Sequence, residues 1–467
     1  MRVLFVTALL AIFSCTISAQ DLTGSWQGDL NVPGGKLPIV FNFVKNGDGF
    51  TSTMDSPKQG VKGIPVSSVQ VKDSVLQLKI SNINATYEGK WSNGSISGEY
   101  KQNGMSLPLV LERITGEAPR IARPQEPAKP FPYHTENVSF VNNNAGQITL
   151  AGTLSMPAKT GKYPVVVLIS GSGPQNRDEE LFGHKPFLVL ADHLTRNGIA
   201  VLRYDERGTG ESTGKFEGAT TPDFASDVRA AIDYLKTRPE IDQRKLGLIG
   251  HSEGGLIAPM IAAKSEDVHF IVLLSGPGLP GDDILLLQTR LIGKANGVSD
   301  EMLNKGEAMY RGIYGVLKGK GSGEDMDKEL TDLLNESMKD LPATQQPPAD
   351  KKDAAIAQGV RSINTPWNRF FVSYDPATAL EKVKCPVLAL NGENDLQVPP
   401  KENLQVIKKS LEKAGNKNFV TKQLPGLNHL FQESKTGSPA EYAVIEQTFS
   451  PQALSEITSW VLLQTKK

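Results

Sequence analysis

The pentapeptide Gly250-His251-Ser252-Glu253-Gly254 constrains this chain more than any other feature, because it matches G-x-S-x-G and lies between two segments of opposite character. The apolar run Leu246 to Ile249 before it reads as a buried strand, and Gly255 to Lys264 after it, rich in small residues, reads as a helix. A strand that passes into a helix over so few residues has room only for glycine at the flanks of the turn. The serine between them is pushed out above the sheet edge.

A serine hydroxyl is a poor nucleophile at neutral pH, so this placement calls for an acid and then a histidine further along the chain. Cys385 to Leu390 reads as a buried strand that runs into Asn391-Gly392-Glu393-Asn394-Asp395-Leu396-Gln397-Val398-Pro399, which puts Asp395 on the loop at that strand's carboxyl end. The short strand Phe419 to Leu424 leads into Pro425-Gly426-Leu427-Asn428-His429, and His429 is the expected base. With these residues the stretch from about Thr135 to the C-terminus, some seven tenths of the chain, resembles the α/β-hydrolases. In detail it is most similar to bacterial EstD-like esterases and to S33-type serine aminopeptidases. The resemblance implies an α/β fold, a mostly parallel sheet with helices on both faces, and a triad of Ser252, Asp395 and His429. It favours Asp395 over its acidic neighbour Glu393 because Gly392, Asp395 and Val398 match the family's G-x-x-D-x-x-V turn.

Ester or amide cleavage through a serine also needs two backbone N–H donors for the tetrahedral oxyanion. Glu253, next after the nucleophile, supplies one. The strand Tyr163 to Ile169 is followed by Ser170-Gly171-Ser172-Gly173-Pro174-Gln175-Asn176-Arg177-Asp178, where many family members carry His-Gly-Gly-Gly. The amide of Ser172 is assigned as the second donor, with Gly171 as the fallback. These glycines lack the lysine of a P-loop and the G-x-G-x-x-G spacing of a dinucleotide site. Another strand end, Tyr204-Asp205-Glu206-Arg207-Gly208-Thr209-Gly210-Glu211-Ser212, resembles the family's D-x-R-G-x-G-x-S turn, in which Asp205 and Arg207 are expected to pair and brace the loops.

At 467 residues two or more domains are expected, and a formal net charge of -1 argues against a nucleic-acid or anionic-membrane partner. Residues 1–19 read as a signal peptide with a cleavage site at Ile17-Ser18-Ala19, too short to span a bilayer, which implies a periplasmic or secreted protein. Lipoprotein anchoring at Cys15 is the alternative, which the bulky Phe13 fits poorly. After cleavage Cys385 is the sole cysteine, so no intrachain disulfide forms. Residues 21–115 show short alternating strands separated by glycine turns such as Asn46-Gly47-Asp48-Gly49, Asn93-Gly94 and Asn103-Gly104. About eight such strands, among them Leu37 to Phe43, Val75 to Ile80 and Ser106 to Leu111, suggest a small antiparallel barrel or sandwich that stabilises or positions its neighbour. Residues 116–133 form a proline-rich, semi-rigid linker, and 134–467 the hydrolase.

About a hundred residues separate the strand Phe270 to Leu274 from the one at Cys385, far more than a crossover helix requires. Residues 282–373 have helical periodicity, as in Asp300 to Tyr314 and Asp325 to Lys339, and are expected to form a cap over the active site. Near its end Trp367, Phe370, Phe371 and Tyr374 either fill the cap core or line an acyl pocket. His251 is expected to pack against the sheet, and His184 to be structural or substrate-facing. No cluster has metal-ligand spacing, so neither metal nor cofactor is expected. The reading is an exported serine carboxylesterase acting on a small-molecule ester with a small to medium acyl group. The alternatives are an aminopeptidase or dipeptidyl-peptidase-like amide hydrolase and, in another class, a catalytically silent carbohydrate-binding protein.

Overall fold

The computed structural model describes residues 21–32, 35–47, 49–57, 61–92, 94–102, 105–114, 123–319, 321, 323–339, 346–347 and 349–466. The signal peptide, Cys15, the turn residues Asp48, Asn93, Asn103 and Gly104, and the first part of the linker lie outside these residues. The chain divides into two compact units, one ending at Ala118 and one beginning at Pro119.

In the first unit the alternation of side chains builds a single antiparallel sheet. Its strands are β1 (Gly24–Val32), β2 (Gly35–Asn46), β3 (Gly49–Ser56), β4 (Val61–Pro65), β5 (Ser68–Lys72), β6 (Val75–Ile80), β7 (Ala85–Ser92), β8 (Ser95–Gln102) and β9 (Met105–Arg113). The order is β4-β3-β2-β1-β9-β8-β7-β6-β5. Along β6 and β7 every second residue is buried, the two-residue period of a sheet with one covered face. Trp26, Phe41, Phe43, Tyr87 and Ile96 fill that face, and the buried Tyr87 hydroxyl lies 2.8 Å from Ile96 O and 3.2 Å from Leu109 O. β4 pairs with β3 and β5 with β6. Between them Val66 N donates to Ser52 O at 3.0 Å and Ser67 N to Lys79 O at 2.7 Å. One extended stretch thus joins both ends of the sheet and curls it around its core. The expected barrel-or-sandwich is a curled nine-stranded sheet rather than two packed layers.

The second unit holds β10 (His134–Asn142), β11 (Ile148–Met156), β12 (Tyr163–Ile169), β13 (Ala200–Tyr204), β14 (Ile241–His251), β15 (Phe270–Leu274), β16 (Val387–Gly392) and β17 (Phe419–Leu424), in the order β10-β11-β13-β12-β14-β15-β16-β17. β11 is antiparallel to both its neighbours, and all later pairings are parallel. Because both faces are covered, β15, the later part of β12 and the second half of β14 are apolar and buried. Val165, Val167 and Leu248 face a cluster shared with α2 (Thr221–Lys236), α3 (Gly254–Ala262) and α10 (Pro400–Lys413). Val166, Leu168 and Ile249 face another shared with α1 (Pro186–Arg196) and α11 (Pro451–Thr465). Between β15 and β16 the chain inserts α4 (Gly281–Ala295), α5 (Asp300–Lys318), α6 (Gly323–Lys339), α7 (Lys352–Ile363) and α8 (Pro366–Ser373), followed by the short α9 (Ala377–Leu380). These cap helices carry a core of their own around Ile313, Leu317, Leu330, Ile356, Val360 and Val372.

In the described part of the linker the Arg123 guanidinium donates to the carbonyls of Phe182, Gly183, Ala443 and Ile445, and the Gln125 side chain bonds Thr448 and Phe449, so the segment is strapped to the hydrolase body. One sequence expectation changes here. Asp205 and Arg207 do not pair with each other. Asp205 takes a two-pronged bond from Arg177 at 2.7 and 3.1 Å, whereas Arg207 turns to Asp227 at 2.7 and 2.8 Å. The loop reverses between the two residues, so each reaches a different element, and a planar guanidinium fork finds a carboxylate wherever one lies in plane with it. Both Arg207 and Asp227 are buried, so Asp227→Ala leaves a charge without its partner. It is expected to destabilise the hydrolase unit by about 3–5 kcal/mol, measured by denaturant unfolding, against less than about 1 kcal/mol for the exposed pair partner Asp233→Ala.

Candidate active site

The turn at Ser252 is formed by close backbone approach. A Cβ on Gly250 would lie 2.0 Å from Gly254 O, and one on Gly254 would lie 2.2 Å from Ile169 O. Helix α3 therefore starts hard against β14 and β12, and Ser252 is left in the left-handed region with φ of 52°, a conformation an L-residue adopts at a cost of about 1–2 kcal/mol. Its N–H is held by Leu274 O at 2.9 Å. The carboxyl ends of β16 and β17 bring the other two predicted residues together: His429 Nδ1 lies 2.9 Å from Asp395 Oδ2 and 3.1 Å from Oδ1. Asp395 Oδ1 also accepts from the N–H groups of Gln397 and Val398 at 2.9 and 2.8 Å, so the carboxylate is held before it meets the imidazole. Both residues are buried. Glu393 points elsewhere, to Gly426 N at 2.9 Å.

The loop after β12 closes over the turn. A Cβ on Gly171 would sit 3.2 Å from Ser252 Cβ, so only glycine passes freely at that point. The Gly171 N–H is engaged by Glu179 Oε1 at 2.7 Å, whereas among the described residues the amides of Ser172 and Glu253 make no hydrogen bond.

Three buried glutamates that the sequence reading passed over support this arrangement. Glu179 bonds both Gly171 and His251 Nδ1, the latter at 2.9 Å. Glu206 spans the two ends of the loop, accepting from Ser170 Oγ at 2.7 Å and from Gln175 N at 3.0 Å. Glu253 sends its carboxylate away from the turn to Thr221 Oγ1 at 2.6 Å and to Trp367 Nε1 of the cap at 2.8 Å. Burial raises the pKa of Glu253. It pushes Glu206 up to about 8, against the hydrogen bonds from Ser170 and Gln175. Only the position of Glu206 just after an apolar strand hinted at burial, and Glu179 lay hidden in the run Asp178-Glu179-Glu180. His184 is structural, its ring bonded to Thr448, Tyr442 and Gln432.

Beside Ser172 opens a cavity of about 550 Å³, lined also by Phe216, Ala219, Thr365, Pro366 and Trp367. Of the four cap aromatics Trp367 lines it. Phe371 is buried against Leu256, Ile284 and Val398, where it anchors the cap to α3. Phe370 and Tyr374 face a separate cavity of about 500 Å³ beside α2 and α3. Groups of histidine, cysteine and acidic residues able to hold a metal are absent among the described residues.

Glu206 makes stability depend on pH. Folded, it holds its proton up to about pH 8, whereas unfolded it releases it near 4.5, so between those values the folded state binds the extra proton and each rise in pH favours unfolding. The unfolding free energy of the wild type, from denaturant titration, is expected to fall from pH 5 to 8 by on the order of 2–3 kcal/mol more than that of Glu206→Gln, which has no proton to lose. Parallel pH profiles of the two proteins would contradict this.

Comparison with known proteins agrees with this architecture. A family model described as "Serine aminopeptidase, S33" matches residues 185–434. Esterase EstD of Thermotoga maritima is 24% identical over 335 residues, covering 71% of this chain and 70% of its own. The bifunctional esterase/perhydrolase DCH of Acinetobacter calcoaceticus is 25% identical over 58% of this chain and 91% of its own. Among solved structures, the Pyrococcus furiosus esterase Pf2001 aligns with 74% of this chain and 99% of its own at 16% identity and a TM-score of 0.42. A match that takes in more than half of the chain, including the turn at Ser252 and the loops of Asp395 and His429, makes this protein a member of the S33 serine aminopeptidase family, a serine hydrolase with the α/β-hydrolase fold.

Proposed function

We propose that the protein is an exported carboxylesterase that cleaves small to medium acyl esters through an acyl-enzyme, with Ser252 as nucleophile, His429 as base and Asp395 as its orienting acid. The observation that carries the reading is the Asp395 carboxylate seated on His429 Nδ1, which leaves Nε2 as the nitrogen able to take a proton. Ser252 attacks the ester carbonyl while His429 takes its proton. The oxyanion is met by the amides of Ser172 and Glu253, and the proton is then returned to the alcohol as the carbon–oxygen bond breaks. Water repeats the cycle on the acyl-enzyme. Asp395 holds the productive tautomer and stabilises the imidazolium. The cavity between Phe216 and Trp367 takes the acyl chain. Export rests on the charge and apolar pattern of residues 1–19, and preference for esters on the named esterases among the relatives. Amide hydrolysis is the second reading, favoured by the description of the family model. Rates on p-nitrophenyl esters beside aminoacyl arylamides separate the two.

An organophosphonate ester is expected to label the protein once, and Ser252→Ala to abolish that label. Asp395→Asn should cost at least about a hundredfold in kcat with the fold intact, whereas Glu393→Gln stays within about tenfold. The opposite order, measured on one ester at fixed pH with thermal melts as control, would move the acid's role to Glu393. Trp367→Ala is expected to change the ratio of kcat/KM between hexanoyl and acetyl esters at least about fivefold, the scale at which a pocket discriminates methylenes. An unchanged ratio would take the acyl chain out of that cavity.

A further inference from the structure

His251 was expected to pack against the sheet, yet its ring joins three loops. The ring is buried, with Nδ1 at 2.9 Å from Glu179 Oε1 and Nε2 at 3.0 Å from the carbonyl oxygen of His429. Both partners are acceptors. A carbonyl has no proton to give, and Glu179 Oε1 already receives the Gly171 N–H at 2.7 Å. A neutral imidazole owns one N–H, so one of its nitrogens would direct a lone pair at an acceptor oxygen, whereas an imidazolium donates at both. Burial is the largest influence and opposes that charge, but the Glu179 carboxylate, the His429 carbonyl and Asp395 together hold the pKa of His251 above its ordinary value.

We propose that His251 is a positioning residue which, donating from both ring nitrogens and paired with Glu179, ties together the loop that carries Ser172, the turn that carries Ser252 and the loop that carries His429. The inference rests on the catalytic assignment of Ser252, His429 and Asp395 made above. The His251 and His429 rings have centroids 4.8 Å apart, so the base must gain its proton in each cycle beside a charge that is already present. Glu179 offsets that charge. The other titratable groups around the pair are Asp395, which favours the imidazolium of His251, and the buried carboxyl of Glu206, which interacts with Glu179 and, on its other side, with Glu253. Removing the His251 charge alone leaves Glu179 uncompensated, which favours the protonated form of His429 and moves the acid limb of kcat/KM to higher pH.

The test uses the full chain with His251→Gln, Glu179→Gln and the double variant on p-nitrophenyl acetate from pH 5 to 9. In His251→Gln, kcat is expected to fall at least about tenfold with KM within about threefold, and the acid limb to move up by at least about half a pH unit. In the double variant the limb returns towards the wild-type position while kcat stays low, and the two losses do not multiply, because the pair acts as a unit. A folded His251→Gln with wild-type kcat and an unmoved limb overturns the proposal, as do losses that multiply in the double variant. Should His251→Gln fail to fold, a folded Glu179→Gln with wild-type kcat overturns it equally. Phosphonate labelling keeps the catalytic assignment separate: a label retained in Ser252→Ala overturns that assignment, whereas an unmoved limb with Ser252 still the labelled residue overturns only the positioning role.

Discussion

The left-handed backbone of Ser252 is the constraint from which the rest of the site follows. It is an unfavourable conformation for a residue with a side chain, and it persists because the chain on both sides has no freedom to relieve it. Gly250 and Gly254 are in backbone contact, and Gly254 also lies against the end of β12. That contact brings the end of β12 and the start of its loop against the turn, so the start of α3 and the course of the loop that carries Ser172 meet at one crowded crossing. The energy that keeps Ser252 strained comes from the packed sheet, whose central strands are buried on both faces.

Around that crossing the protein relies on carboxylates rather than on apolar packing to hold its loops. Glu206 ties the two ends of the loop after β12 to each other, Asp205 fastens it through Arg177, and Glu179 ties it to His251. A buried carboxylate is costly without donors, and each of these has found backbone or side-chain N–H and O–H groups. The arrangement links the cap as well. The Glu253 side chain receives the indole N–H of Trp367, so the residue that follows Ser252 in the turn also seats the cap.

The sequence made the motif-bearing parts legible because their chemistry is local. The turn at Ser252 needs glycine at set positions, Asp395 follows the fully buried strand β16, and His429 follows the short edge strand β17. Pairings that depend on how loops fold back were not legible. Asp205 and Arg207 are two residues apart yet bind different partners, and nothing in their spacing says that Arg177 and Asp227 lie nearer in space. The cap aromatics show the same limit. Helical spacing groups Trp367 with Phe371 and Phe370 with Tyr374, as their stacked rings confirm, but not which pair looks towards Ser172. Burial of Glu179 and Glu206 is likewise a product of tertiary packing that a polar letter in a polar run conceals.

The stretch that joins β4 to β5 has a consequence for the N-terminal unit. An antiparallel sheet of nine strands left open would offer two rows of unpaired N–H and C=O groups, each able to recruit a strand from another molecule. By running one segment along β3 and then along β6, the chain spends its own backbone on both rims at once. Val71 lies on β5, which pairs with β6 alone and keeps an outer edge, whereas Val44 lies on β2, flanked by β1 and β3. A proline at Val66 or Ser67 would remove a backbone donor to β3 or β6 and free more of the rim for intermolecular β-pairing.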